Sequence, residues 1–239
     1  MKEFIMKKLS IVLIVFIIAS VTWFSFQSKA RNDDPVIMAF GDSLTYGYGD
    51  KKGEGYVDGL ERALNEPGSI DKFRIWNYGI TGQETEGVLK QLGDARIESK
   101  LDKADYFILF IGTNDLINSN GGNVKNVNDE QINAEKAGYL KNVKTILDKL
   151  GRENKRAPIL VLGLYNPVPD NGQLEKHIDE WDREIKDIVK SEQQATFIPT
   201  NDLFKNKNKK IYFSDTLHPN EKGYQLITER IVERYQFVR

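Results

Sequence analysis

The sequence predicts an α/β fold in which a five-stranded parallel sheet is covered by helices on both faces. Five short apolar runs recur along the chain, at residues 36–40, 73–78, 106–111, 158–164 and 196–199. These runs are nearly continuous rather than alternating, which is typical of strands that are buried on both faces. The segments between them repeat their apolar residues with the period of a helix, and such alternation of strand and helix favours a parallel sheet.

The helices are predicted from four apolar stripes with helical spacing. The stripes consist of Val57, Leu60 and Leu64; of Leu140, Val143, Leu147 and Leu150; of Leu174, Ile178, Trp181, Ile185 and Ile188; and of Tyr224, Ile227, Ile231 and Tyr235. We expect the first helix to stop at "NEPG" (65–68) and the second at Gly151, because glycine is common just after the last periodic residue of a helix.

Length and composition restrict the class of protein. The 239 residues suffice for one sizeable α/β domain. The chain contains no cysteine, which excludes disulfides, thiolate catalysis and cysteine metal sites. Lys and Arg together number 34 and Asp and Glu 35, so no basic surface field is expected to attract nucleic acid.

The first thirty residues have the pattern of a secretory signal. Three lysines lie within residues 1–8, residues 9–26 carry no charge, and the small residues Ser28 and Ala30 follow. We therefore expect a signal peptide at 1–30, a folded domain at 31–239, and a secreted protein. The apolar run also reaches the lower limit of a membrane span. If it is retained, it anchors the protein to the extracellular face of the cell membrane.

Four short polar segments follow strands or precede the last helix. They are "GDSL" (41–44), "NYGITG" (77–82), "GTND" (112–115) and "SDTLHPNE" (214–221). Each alone is also typical of an ordinary turn or helix cap. Right-handed crossovers bring the carboxyl ends of parallel strands to one edge of the sheet, where ligands bind in such folds. We therefore expect the four segments to meet there.

Together these segments contain what acyl transfer requires. A serine hydroxyl such as that of Ser43 becomes a good nucleophile when a neighbouring base takes its proton. Of the two histidines, His177 lies beside a helical apolar stripe, among charged residues, and is expected to be solvated. His218 precedes a helix and is the candidate base, and Asp215, three residues earlier, can orient its imidazole.

An oxyanion requires preorganised hydrogen-bond donors. The backbone amides of Ser43 and Gly79 and the side-chain amide of Asn114 are the candidates.

The sequence resembles the SGNH (GDSL) hydrolases in all four of these segments, which occur in the order of that family. The resemblance extends over roughly residues 35–237 and implies a flavodoxin-like, three-layer α/β/α domain with five parallel strands. It also implies that Ser43 is the nucleophile and that His218 and Asp215 complete the triad. In the same way it implies that Ser43, Gly79 and Asn114 form the oxyanion hole. The most similar subgroup is the secreted lysophospholipase-like esterases of Gram-positive bacteria.

We expect hydrolysis of carboxylic esters through an acyl-enzyme, with no metal and no cofactor. An alternative is a carbohydrate O-acetyl esterase acting on cell-wall or plant polysaccharide, because the same site serves both reactions. A distant alternative is a non-enzymatic phosphate- or nucleotide-binding module. That module would use the glycine-rich stretch 41–55, which lacks the Gly-Lys-Ser/Thr ending of a phosphate-binding loop.

The expected partner is a small ester or lysophospholipid substrate. We expect a monomer, no nucleic-acid partner, and membrane association only through the N-terminal segment. The acyl pocket is expected to be lined by residues 116–131 and 164–172, which follow strands. These two segments contain few clearly apolar residues, which favours short acyl chains. The apolar residues are Leu116, Ile117, Tyr165, Val168 and two prolines.

Overall fold

The structure, a computed structural model, describes residues 34–69, 72–168 and 170–238. The predicted signal peptide at 1–30 lies outside the described residues. Residues Pro35–Arg239 form one compact unit. Among the residues that the structure describes, no helix has the length and hydropathy needed to cross a membrane.

A parallel sheet forms the centre of the fold, and its order is β2-β1-β3-β4-β5. Every neighbouring pair of strands runs parallel. The strands are β1 (Val36–Gly41), β2 (Arg74–Gly79), β3 (Tyr106–Phe110), β4 (Ile159–Leu162) and β5 (Ala195–Ile198). Each coincides with one of the five predicted apolar runs to within a few residues. The predicted strands and their parallel pairing are therefore confirmed.

Nine α-helices lie among the described residues, together with two 3₁₀ turns at Leu101–Lys103 and Asn201–Leu203. The helices are α1 (Ser43–Tyr46), α2 (Gly55–Leu64), α3 (Thr85–Leu92), α4 (Ala95–Glu98), α5 (Thr113–Ser119), α6 (Asp129–Glu153), α7 (Gly172–Ser191), α8 (Lys209–Tyr212) and α9 (Glu221–Arg234).

The strands divide the core into two layers. On β1, Met38 and Phe40 pack with α3, α6 and α7, whereas Ile37 and Ala39 pack with α2 and α9. This alternation follows from the two-residue period of a strand. The three-layer α/β/α architecture is therefore confirmed, with an apolar core on each face of the sheet. The edge strands β2 and β5 are only partly buried, unlike β1, β3 and β4.

Helix α6 does not end at Gly151 as predicted but continues to Glu153. The helix ends where Asn154 is fixed to neighbouring backbone. Its side-chain amide donates to the carbonyls of Leu101, at 3.0 Å, and of Ala104, at 2.8 Å. Asparagine therefore supplies the stop, and the glycine three residues before it stays helical.

The sheet order creates a crevice where the chain changes direction. The chain goes from β1 to β2 on one side and then returns to β3 on the other side of β1. Connections leaving β1 and β3 therefore diverge, and such a switch point is the usual ligand site in an open α/β sheet. Ser43 directly follows β1 and Asn114 follows β3, so the fold brings two of the candidate residues to this crevice.

Candidate active site

Ser43 lies in a sharp turn between β1 and α1. Asp42 caps the helix, because its Oδ1 accepts the backbone amide of Leu44 at 2.9 Å. Gly41 has no room for a side chain: a Cβ would lie 2.3 Å from the carbonyl oxygen of Phe110. The turn therefore holds Ser43 at the carboxyl edge of the sheet, as the sequence predicted.

The structure brings Ser43 and His218 together across 175 residues of sequence. Ser43 Oγ lies 2.9 Å from His218 Nε2, and His218 Nδ1 lies 2.8 Å from Asp215 Oδ2. A carboxylate at Nδ1 selects the tautomer that carries its proton there, which leaves Nε2 free to accept a proton from the hydroxyl. The three groups can thus transfer a proton from Ser43 to a base whose orientation is fixed.

Asp215 is held in its ionised form by local hydrogen bonds. Its Oδ1 accepts the backbone amides of Leu217 and His218, each at 2.7 Å. Burial acts to raise the pKa of Asp215, but these two amides and the imidazole of His218 outweigh it and lower the pKa below the ordinary 3.8. The carboxylate therefore remains charged at neutral pH.

Residues 214–218, here called the base loop, are anchored through three successive carbonyls. Lys209 Nζ donates to the carbonyl of Thr216, Tyr165 Oη donates to that of Leu217 at 2.8 Å, and the Ser214 amide donates to that of His218 at 2.9 Å. Sequence analysis did not identify Tyr165 or Lys209 in this role, because neither lies near the base loop in a recognisable pattern.

The remaining candidate donors lie where β2 and β3 end. The Gly79 amide donates to Asn77 Oδ1 at 2.9 Å. The Asn114 side chain donates to the carbonyl of Gln83 at 2.9 Å and approaches Asp42 Oδ2 at 3.3 Å. Both donors thus have acceptors within the protein. The Ser43 amide belongs to the first turn of α1, where backbone amides have no partner inside the helix.

Strand β2 contacts α1 closely at Gly79. A Cβ there would lie 2.3 Å from the backbone nitrogen of Tyr46. The side-chain amide of Asn77 also donates to the carbonyl of Thr45 at 2.7 Å. The segment that contains Ser43 is therefore fixed to β2, and Gly79 is required by this close approach.

Two carboxyl groups next to the candidate residues, one buried and one partly buried, have raised pKa values. Burial raises the pKa of Asp42, which is fully buried, to about 7. Burial also raises the pKa of Asp115 to about 6. Asp115 accepts the Thr85 amide at 3.1 Å and the Thr85 hydroxyl at 2.5 Å, and so attaches α5 to the start of α3. Asp115 therefore stabilises the segment that carries Asn114.

The prediction for His177 is wrong. Its side chain is not solvated but buried, with 2% of the residue exposed, and Nε2 lies 2.5 Å from Asp129 Oδ1 at the start of α6. The reason is geometric: His177 shares the inward face of α7 with Ile178 and Trp181.

Leu116 and Tyr165 do not line an acyl pocket as expected. Both belong to the core, with 4% and 2% of their surface exposed. The large apolar side chains exposed along the chain next to the site are instead Tyr46, Tyr48 and Ile80. Aromatic residues that alternate with glycines in "TYGYG" (45–49) are the signal that could have indicated the first two.

No cluster of three or more histidine or acidic side chains with the spacing of a metal site occurs in the described part of the chain.

Known sequences match this chain over most of its length. A model of the GDSL-like lipase/acylhydrolase family matches residues 39–226. The spore germination lipase LipC of Bacillus licheniformis is 30% identical over 199 residues, which cover 81% of this chain and 92% of the relative.

Comparison with solved structures gives the same architecture. The crystal structure of the lipase Lip_vut3 from a goat rumen metagenome has a TM-score of 0.74 and 28% identity, over 84% of this chain and 97% of that chain. Axe2, an acetylxylan esterase from Geobacillus stearothermophilus, has a TM-score of 0.67 over 86% of this chain and 96% of that chain. At 17% identity, the likeness to Axe2 concerns the fold alone.

Proposed function

The chain belongs to the GDSL-like lipase/acylhydrolase family and is a carboxylic ester hydrolase, and we propose that it is a serine esterase. In this proposal Ser43 is the nucleophile, His218 the general base and Asp215 the orienting carboxylate. The contact of 2.9 Å between Ser43 Oγ and His218 Nε2 is the observation that carries it.

The proposed reaction has two steps. Ser43 Oγ attacks the ester carbonyl carbon while its proton passes to His218 Nε2, and the imidazolium then protonates the departing alcohol oxygen. Water attacks the resulting acyl-enzyme, gives its proton to Nε2 and releases the acid. His218 then returns the proton to Ser43 Oγ. The ionised Asp215 at Nδ1 stabilises the imidazolium in both steps.

The oxyanion formed in each step is proposed to bind the amides of Ser43 and Gly79 and the side chain of Asn114. Two of these donors already bond within the protein: the Gly79 amide to Asn77 Oδ1, and the Asn114 side chain to the Gln83 carbonyl and, at 3.3 Å, to Asp42 Oδ2. A charged oxygen forms hydrogen bonds roughly twice as strong as those of a neutral oxygen. The oxyanion can therefore displace these acceptors or share the donors with them. These hydrogen bonds fix the orientation of the Gly79 and Asn114 donors before the reaction begins.

The substrate is proposed to be a monomeric ester with a short acyl chain. The loops that were expected to line an acyl pocket offer little apolar surface, because Leu116 and Tyr165 are buried in the core. Of the three exposed side chains named above, Tyr48 lies against His218, so Tyr46 and Ile80 remain, and both are about half exposed. Such an open surface covers one side of a chain only. Each CH₂ then contributes roughly half of the 0.8 kcal/mol of full burial.

The test of the mechanism combines substitution with covalent labelling. Ser43→Ala is expected to lose at least about 10³-fold in kcat for p-nitrophenyl acetate while the chain stays folded. A phosphonate ester should label the peptide that contains Ser43. Ser191→Ala, at the exposed end of α7, is the matched control and should keep full activity. Labelling of another residue, or an active Ser43→Ala variant, would contradict the proposal.

The substrate test should include both simple esters and an acetylated xylooligosaccharide. The second is chosen because the fold is shared with the acetylxylan esterase Axe2. A kcat/KM for the acetylated sugar that exceeds the value for every simple ester would favour a carbohydrate O-acetyl esterase instead.

A further inference from the structure

Tyr48 contacts both the nucleophile segment and the base. Its backbone amide donates to the carbonyl of Ser43 at 2.9 Å. Its ring lies against the imidazole of His218, with 4.5 Å between the ring centroids and 57° between the planes. One residue therefore connects two groups that are 175 positions apart in sequence.

The backbone on both sides of the Tyr48 ring is fixed. The carbonyl of Tyr48 accepts the hydroxyl of Tyr224, on α9, at 2.6 Å. Gly49, the next residue, has a φ of +97°, and a Cβ there would lie 2.5 Å from the Pro219 carbonyl and 2.9 Å from His218 Cβ. The chain thus passes directly against the base loop, and the backbone that carries the Tyr48 ring is fixed beside that loop.

Core packing does not explain the position of this ring. Tyr48 is 48% exposed, so its aromatic surface contributes little to the buried core. The imidazole has hydrogen bonds at both nitrogens, to Asp215 and to Ser43, but these leave it able to tilt about the line that joins them. An aromatic ring at 4.5 Å restricts that tilt, and it also attracts the imidazolium that forms during proton transfer.

We infer that Tyr48 is a positioning residue, which holds the imidazole of His218 in line with the Ser43 hydroxyl. The inference rests on the proposed function, in which these two residues exchange a proton. Tyr48 acts through His218, so its removal lowers the rate of proton transfer and leaves ground-state binding of the ester unchanged. The ring and not the hydroxyl makes the contact.

The first experiment compares Tyr48→Leu with Tyr48→Phe on p-nitrophenyl acetate. Tyr48→Leu should lower kcat by about 3- to 10-fold, the size of one aromatic contact, with KM unchanged. Tyr48→Phe should restore kcat to within about twofold of the parent chain. A change confined to KM, or a Phe variant as slow as the Leu variant, would overturn the inference.

The second experiment is a double-mutant cycle with His218→Ala. If Tyr48 acts through the imidazole, then adding Tyr48→Leu to His218→Ala has no further effect on the residual kcat. A further 3- to 10-fold loss in that background would overturn the inference, because Tyr48 would then act without His218. An unimpaired Ser43→Ala or His218→Ala variant would instead overturn the proposed function. The two failures are therefore distinguishable.

Discussion

Replacing Asp215 by asparagine isolates its effect on the histidine tautomer. The carboxylate now accepts two backbone amides at Oδ1 and the imidazole at Oδ2. In Asp215→Asn, the amide oxygen can keep the two backbone amides, which places the NH₂ group at His218 Nδ1. That nitrogen must then accept a hydrogen bond. The imidazole proton moves to Nε2, which can no longer take the proton of Ser43.

The expected loss follows from the bonds that hold the substituted amide in this orientation. Returning to the productive tautomer requires the amide to turn over and give up both backbone amides, or to leave two donors facing each other at 2.8 Å. Each lost hydrogen bond costs about 1 kcal/mol, and the imidazolium also loses its charged partner. A total of about 3–5 kcal/mol corresponds to a loss of roughly 10²- to 10⁴-fold in kcat.

The assay is kcat and KM for p-nitrophenyl acetate, with a thermal unfolding curve for each variant. Asp129→Asn is the matched control, because it changes the other histidine–aspartate pair, at 2.5 Å, and should leave kcat unchanged. A loss of less than tenfold in Asp215→Asn, with the fold intact, would refute the tautomer argument. An equal loss in Asp129→Asn would show that the effect is not specific to the base.

Three further predictions concern the oxyanion, stability and the acyl chain. Asn114→Ala should lower kcat by roughly 10²- to 10³-fold with KM nearly unchanged, and a change in KM alone would make Asn114 a ground-state binder. Burial raises the pKa of Asp182 to about 7 from 3.8, so the cost of its charge in the folded state grows from pH 4 to 7 and is complete above pH 7. Asp182→Asn can still accept the Leu164 amide and should raise the melting temperature by up to roughly 8–16 °C at pH 8 but not at pH 4. An equal rise at both pH values would exclude ionisation as the cause. Across a series of p-nitrophenyl esters, kcat/KM should rise about twofold per CH₂, reach a maximum between acetate and octanoate, and fall by palmitate. A steady increase up to twelve carbons would contradict the open acyl surface.

The strands and the polar segments could be predicted because their signals are local. Each apolar run is short and continuous, and parallel pairing then determines which ends of the strands meet. The candidate residues Ser43, His218 and Asp215 could be predicted from their chemistry, and the choice of base was simple because the chain has only two histidines. Their contacts agree with that expectation.

The features that sequence analysis missed depend on contacts between distant segments. His177 is buried on the inward face of α7, and its partner there is Asp129, which is 48 residues away at the start of α6. From the sequence, Tyr165 is predicted to be an apolar loop residue. In the structure its ring is buried, and its hydroxyl donates a hydrogen bond to the Leu217 carbonyl. No local pattern distinguishes a tyrosine that lines a pocket from one that anchors a loop 52 residues later.

The distance in sequence between Ser43 and His218 has a consequence for how activity arises during synthesis. A chain ending at residue 213 contains all five strands and the nucleophile turn, but neither Asp215 nor His218. The remaining residues, 214–239, also contain α9, which packs on the same layer as α2. Domains fold as units while the chain emerges from the ribosome N-terminus first, and long-range contacts form slowly. In the proposed mechanism, the nascent enzyme therefore has no hydrolytic capacity until residues 214–239 have emerged and docked, and a chain that ends at residue 213 has no base for Ser43.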